Sequence, residues 1–310
     1  WLMRQAGRHL PEYLEIKRKH KNLLNMFLDT ETIVEVTLQP VKRYNLDASI
    51  VFSDILIVPY LMGSQISFGK TSGPLVNFNK LSRVDIKKAE PIYSAIKKIK
   101  DTTNQPLIGF SGGVWSTIYY CLFDRETRRD FDKKLIIQKE KEINSLIPIF
   151  TDIIITHATN QIKSGIDVFQ LFESWSGLLN DEQFETWCLD PANKIFSALK
   201  ELGSYNIGFP REASLKNYIQ YSNIKNLDCI SLDTQFNIDN LDLLNQSLCF
   251  QGNLNPETLL VGGERLNNEV DDILLAFSNK PHIFNLGHGV LPETPTENVK
   301  QLVNKIRNNS

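Results

Sequence analysis

Arg4 and Arg8 flank Gly7 in a segment that Gly7 and Pro11 keep from being helical. Each guanidinium is a rigid fork that fits a carboxylate or phosphate, which the point charge of lysine does not. The pair reads either as a solvated face or as a clamp for an anionic ligand. Asp54 falls inside the apolar run IVFSDILI at 50–57. A carboxylate there is costly without partners. It either caps a helix or pairs with an arginine, or it faces a cleft and binds a cation or N–H groups. His288 stands between Gly287 and Gly289, where a ligand could approach the backbone closely; the alternative is a loop histidine with its bonds satisfied. Glu173 and Ser174 open a further polar cluster, ESWSG. No base adjoins Ser174 to make it a nucleophile, so it reads as a hydrogen-bonding group. Trp115 and Tyr120, taken singly, read as packing residues. The histidines His9, His20, His157, His282 and His288 form neither His-x-Cys nor His-x-x-x-His, and no Walker loop occurs, so no metal site is expected.

Such groups do chemistry together only if a scaffold gathers them. Seven β-rich apolar runs recur, at 48–54, 106–112, 167–174, 205–210, 228–233, 248–253 and 281–287, and residues 1–3 suit the tail of an eighth. They lack polar alternation, as strands covered on both faces do. Helical patterns lie between them. Ile92, Ala95, Ile96 and Ile99 follow the i, i+3, i+4, i+7 spacing, as do Val299, Leu302, Val303 and Ile306, behind Thr294 as N-cap and Pro295 at the first helical position. Residues 125–146 are charged and helical in composition. A hairpin is expected at 65–78, turning at Thr71-Ser72-Gly73-Pro74. Strand–helix alternation over this length predicts an α/β fold, a single-domain (β/α)8 TIM-type barrel spanning 1–310, with its site at the C-terminal ends of the strands. The competing architecture is a doubly wound open sheet, but no Gly-x-Gly-x-x-Gly follows the first strand. On the barrel reading, residues 4–8, Ser53-Asp54, Ser111-Gly112-Gly113, Glu173-Ser174, Pro210-Arg211, Asp233, 251–253 and 287–289 converge on one mouth.

Composition narrows the function. Thirty-four Lys+Arg against 36 Asp+Glu leave a net charge of −2, and 42% of the 310 residues are hydrophobic. That is the profile of a soluble globular protein, without whole-surface attraction to nucleic acid or anionic membrane. Any bound anion must be held by a local cationic cluster. Cys121, Cys188, Cys229 and Cys249 form no close pair in sequence and are expected to be reduced. The longest apolar stretch, 50–62, is broken by Asp54 and Pro59 and is too short to span a bilayer. The chain opens at Trp1 rather than Met, so residues before it are expected to be missing.

The opening WLMRQAGR, followed by LPE at 10–12, resembles the N-terminal signature of the uroporphyrinogen decarboxylase family. Further matches run in order along the whole chain: VTLQP at 36–40, FSDIL at 52–56, PLIGF at 106–110, QGNL at 251–254 and NLGHG at 285–289. Several motifs in the right order are specific where one alone would not be. The resemblance implies a (β/α)8 barrel, a cytoplasmic homodimer that needs no cofactor. It implies removal of the carboxyl groups of four acetate side chains of uroporphyrinogen III, giving coproporphyrinogen III in haem biosynthesis. Residue by residue, it implies that Arg4, Gln5, Ala6, Gly7 and Arg8 bind substrate carboxylates and that Asp54 faces the pyrrole N–H groups. Tyr120, Ser174 and His288 match the remaining substrate contacts. Asp54, Arg4 and Arg8 are the expected catalytic residues. The chain departs from the family at His9, where an aromatic residue is expected, at Val114 for proline and at Thr234 for Trp, and 78–106 is shortened. A corrinoid-dependent methyltransferase is the nearest enzyme rival, but it needs a His-x-Cys pair. A non-catalytic tetrapyrrole carrier would need the cations and not Asp54.

Overall fold

The computed structural model describes residues 1–69, 73–78 and 83–308. Nine strands occur among them: β1 Ser49–Ile50, β2 Gln65–Phe68, β3 Pro74–Asn77, β4 Leu107–Gly112, β5 Val168–Glu173, β6 Tyr205–Pro210, β7 Cys229–Ser231, β8 Cys249–Leu254 and β9 His282–Leu286. Seven form one sheet in the order β1-β4-β5-β6-β7-β8-β9, and each pairing is parallel. The strands lie at the seven apolar runs. The sheet is curled, but among the described residues the eighth strand of a full barrel is not formed. Residues 1–3 occupy the place between β9 and β1 without a strand ladder. Trp1 donates its indole N–H to Gln251 Oε1 (3.1 Å), and the Met3 N–H donates to Asn285 Oδ1 (2.7 Å). Val290 N donates to the Met3 carbonyl (2.9 Å). Side chains and a loop backbone N–H therefore take the place of a ladder.

β1 is shorter than its apolar run. Val51 N still reaches the Ile108 carbonyl (3.0 Å), but Phe52 N turns to Thr37 Oγ1 (2.9 Å). The chain then leaves the sheet at the two residues before Asp54. β2 and β3 form the antiparallel hairpin apart from the main sheet. Of its turn, Thr71 and Ser72 lie outside the described residues.

The helices follow their apolar spacing. Ile92, Ala95, Ile96 and Ile99 are buried along Glu90–Thr102, which packs between Thr30–Tyr44 and Glu140–Ser164. Asp29 caps Thr30–Tyr44 by accepting from Thr32 N (2.8 Å). Residues 125–146 break into Arg125–Arg129, Lys134–Gln138 and the start of Glu140–Ser164. The last helix, Thr296–Asn308, begins later than its sequence signal. Asn298 N donates to the Pro295 carbonyl (3.1 Å), and the hydroxyl of Thr294 is buried without a hydrogen-bond partner. Thr294 thus does not cap it, because proline takes the position before the first turn.

Two apolar clusters result among the described residues. The larger, running from Leu2 to Val303, fills the space between sheet and helices. The smaller lies inside the curl and includes Trp1, Met3, Ile50, Ile108, Phe172 and Phe209. Strand register sets its layers. Phe172 pairs with Phe209 across β5 and β6, their rings edge to face at 6.1 Å. One layer below, Gln251 donates to Ser231 Oγ (3.1 Å) and accepts from Trp1.

Candidate active site

The C-terminal ends of the strands enclose a cavity of about 340 Å³. Its polar wall includes Arg4, Arg8, Ser53, Asp54, Ser174 and His288; Phe52, Phe110, Phe172 and Phe209 supply much of the rest. Ala6 and Gly7 also line it. Seven of the nine residues singled out from the sequence thus meet at one place.

The arginine loop is seated by Gln5. Its side-chain amide donates to the Ala48 carbonyl (3.1 Å) and accepts from Leu2 N (2.8 Å). Gln5 is buried at 1% exposure and does not line the cavity, because both ends of its amide are used by the backbone. With residues 1–3 tied to β8 and β9 and Gln5 tied to the strand-1 segment, Arg4 takes a left-handed φ of 60°. Its side chain then lies across Gly289, where a Cβ would stand 2.1 Å from Arg4 Cδ. Only glycine permits that approach next to His288.

Electrostatics follow from enclosure. Arg4 is exposed at its surface yet sits deep among protein atoms. Burial, with the Arg8 charge second, holds its guanidinium down at about 10, still protonated at neutral pH. Burial also lowers Arg8, opposed by Tyr13, Asp54 and Glu293. Asp54 goes the other way: burial pushes its carboxyl up to about 6, while the Leu56 N–H and the charges of Arg4 and Arg8 pull it back. The Leu56 N–H donates to Asp54 Oδ1 at 2.9 Å. One carboxylate therefore stands among guanidiniums and aromatic rings, ionised at neutral pH and short of solvation. His288 is neutral, because burial and then Arg4, Arg211 and Arg8 disfavour its cation. Its Nδ1 is buried without a partner.

Ser174 follows β5 directly, and its carbonyl accepts from Arg211 Nη1 (3.4 Å). Arg211 also pairs with Glu212. This third guanidinium at the mouth was visible in sequence only as a strand-end residue. Tyr120 does not line the cavity. Its ring lies 4.7 Å beneath the Arg128 guanidinium. The adjacent Tyr119 is fully buried. The aromatic wall of Phe110, Phe172 and Phe209 belongs to the site as well; its signal in the sequence is the period-2 spacing within the strands. Among the departures, His9 stacks on Tyr44 with the rings 9° from parallel and hydrogen-bonds its hydroxyl at 3.1 Å. It fills an aromatic position outside the cavity.

Among the described residues no group of three or more His, Cys, Asp or Glu could hold a metal ion. No helix among them is long and apolar enough to cross a membrane.

The family model for uroporphyrinogen decarboxylase (URO-D) matches residues 1–309. Uroporphyrinogen decarboxylase of Rickettsia massiliae is 39% identical, over 99% of this chain and 92% of that protein. The enzyme of Rickettsia bellii is 38% identical, over 99% and 94%. Among solved structures, a methyltransferase from Methanosarcina mazei superposes with a TM-score of 0.80 over 99% of this chain and 93% of its own, at 17% identity. A B12-independent methionine synthase from Shewanella gives 0.64 over 99% and 92%, at 12% identity. These two likenesses concern the fold alone.

Proposed function

The chain belongs to the uroporphyrinogen decarboxylase family, and from that premise we propose how its cavity carries out the reaction. The activity is decarboxylation of uroporphyrinogen in the porphyrin pathway. In the finer reading, uroporphyrinogen III loses all four acetate carboxyls and leaves as coproporphyrinogen III.

Each round replaces a carboxylate by hydrogen: R–CH2–COO⁻ and H⁺ give R–CH3 and CO2. Breaking the C–C bond leaves an electron pair that needs a sink. A proton added to the pyrrole ring makes a cation that accepts the pair, leaving an exocyclic methylene; that methylene carbon takes a proton to become the methyl, and the ring proton is released. The observation that carries the reading is Asp54, one ionised carboxylate in an aromatic cavity between two arginines. At about 4 Å and an effective dielectric of about 20 it stabilises the ring cation by roughly 4 kcal/mol. If confined to the transition state, that is about a thousandfold in rate. In the ground state Asp54 accepts from the pyrrole N–H groups.

Arg4 and Arg8 hold substrate carboxylates, and one of them delivers the ring proton or holds the departing carboxylate. Arg4, held down to about 10 by burial and the Arg8 charge, still carries its proton at neutral pH and can pair with a carboxylate. Ser174, neutral His288 and the backbone of Ala6 and Gly7 complete the contacts. Gln5 acts through the loop it seats, and Tyr120, outside the cavity wall, is the contact that family likeness assigns to the periphery of the substrate. No cofactor is part of this reading. A homodimer, a cytoplasmic location and a single domain over 1–310 belong to it through family likeness, the last supported by the continuous core from Leu2 to Val303. Sedimentation tests the dimer.

The first test is anaerobic incubation with uroporphyrinogen III without added cofactor, then oxidation and chromatography of the porphyrins. A ladder from eight to four carboxyls is expected. Tight binding without a ladder would leave a carrier instead of an enzyme.

A further inference from the structure

Glu173 ends β5 one residue before Ser174, yet it is not part of the cavity wall. Alternation along the strand sends its side chain the other way, under the start of the helix Val114–Leu122. There it is 1% exposed. Its Oε1 accepts from Trp115 N (3.2 Å). Its Oε2 accepts from Ser116 N (3.0 Å) and from the Ser116 hydroxyl (2.8 Å). The same hydroxyl accepts from Trp175 N (3.2 Å), and the Trp115 indole N–H donates to the Trp175 carbonyl (2.9 Å). Gly113 leaves room for the carboxyl: a Cβ there would stand 2.0 Å from Glu173 Cδ. No cation pairs with this carboxylate among the described residues. A buried, unpaired carboxylate is expensive, and packing alone would be served by an apolar residue. What it does locally is join the strand end that bears Ser174 to the helix that bears Tyr120.

We propose that Glu173 is a positioning residue for uroporphyrinogen binding: its carboxylate, bonded across the start of helix Val114–Leu122, holds Tyr120 and Ser174 at the spacing the substrate's side chains require. This rests on the function assigned above. The consequence is a division of labour. Asp54 serves the reacting ring and governs kcat; Glu173 serves the rim and governs KM. Burial pushes the Glu173 carboxyl up to about 7, against the hydrogen bonds from Ser116, Trp115 and Val114. Protonation then withdraws acceptor capacity from the helix start. The other titratable groups facing it are Cys188 and Tyr221, and burial holds both neutral. They cannot produce a step near neutral pH.

The test is steady-state kinetics of the whole chain with uroporphyrinogen III, from pH 6 to 8, for wild type, Glu173→Gln and Ser116→Ala. The amide of Glu173→Gln turns an N–H toward a donor and so breaks part of the junction. Expected are a KM raised about tenfold with kcat within about threefold, and a KM that no longer rises as pH falls through about 7. Ser116→Ala keeps the carboxylate and its backbone bonds, so its KM rises by about threefold and its pH step persists. That variant decides the matter if Glu173→Gln does not fold. An unchanged KM in a folded variant, or a fall in kcat alone, overturns the proposal while the function stands. A wild-type chain that yields no product ladder overturns both.

Discussion

The mouth of the sheet is built in two ways. On one side, β1 contributes only Ser49 and Ile50 to the ladder, residues 1–3 form no strand, and Arg4 takes a left-handed backbone. This side carries Arg4, Arg8 and Asp54, and side-chain hydrogen bonds from Gln5, Asn285 and Trp1 hold it in place. On the other side, β4, β5 and β6 run six residues each in register and present Phe110, Phe172 and Phe209. The difference has a geometric cause. A regular strand fixes its side-chain directions by alternation, so it makes a wall well, but neighbouring positions cannot turn several charges toward one point. Irregular backbone can, at the cost of needing other groups to satisfy its N–H and C=O.

The sharpest way to break this comparison is Asp54→Ala. We expect kcat/KM to fall by about a thousandfold while thermal unfolding is not lowered, since a desolvated carboxylate has been removed. Near-normal turnover would mean that the irregular side does no chemistry. Next is Gln5→Ala, which leaves the Leu2 N–H and the Ala48 carbonyl unpaired in the interior. The expected loss is about 2 kcal/mol in urea unfolding. An unchanged midpoint would show the arginine loop to be held by its backbone alone.

A pH series sharpens the contrast further. The carboxyl of Asp54 is raised to about 6, so kcat should fall about tenfold per unit below that pH, and Asp54→Asn should lack this limb. Stability runs the opposite way. The folded carboxyl binds its proton more tightly than the unfolded one. Its contribution is therefore fully present below the ordinary carboxylate range and is lost as pH rises through about 6. Asp54→Asn should accordingly gain on wild type in unfolding experiments as pH rises. The smallest effect belongs to an ion pair away from both sides. Arg43 donates twice to Glu12 at the surface (2.9 and 2.7 Å), and Arg43→Gln should cost under about 1 kcal/mol with unchanged kinetics.

Legibility in the sequence divided along the same line. The long strands announced themselves, because β4, β5, β6 and β8 are buried on both faces and read as near-continuous apolar runs. The same signal overstated β1. The run at 48–54 is as apolar as the others, but Phe52 N bonds to Thr37 Oγ1, a partner 15 residues away that no local pattern announces. Arg4, Arg8, Asp54, Ser174 and His288 were legible as strand-end groups of the right chemistry. Gln5 was legible as part of a motif and not as a support, because only the fold brings Ala48 to its amide. Glu173 and Ser174 are neighbours with opposite duties. Their sequence order says that they face opposite ways; which one faces the cavity depends on the phase of the strand in the sheet.

The sequence by itself determined the class of fold, the strand–helix order, the family and the groups able to bind a polycarboxylate around a ring of N–H donors. Those depend on residue type and local spacing. The tertiary structure decided that residues 1–3 fill the gap in the sheet without becoming a strand. It also decided that Asp54 is enclosed enough to rise to about 6 and that Glu173 points away from the cavity into the helix start. Burial, register and electrostatic neighbourhood are sums over residues far apart in the chain, and they take values only once the sheet has curled.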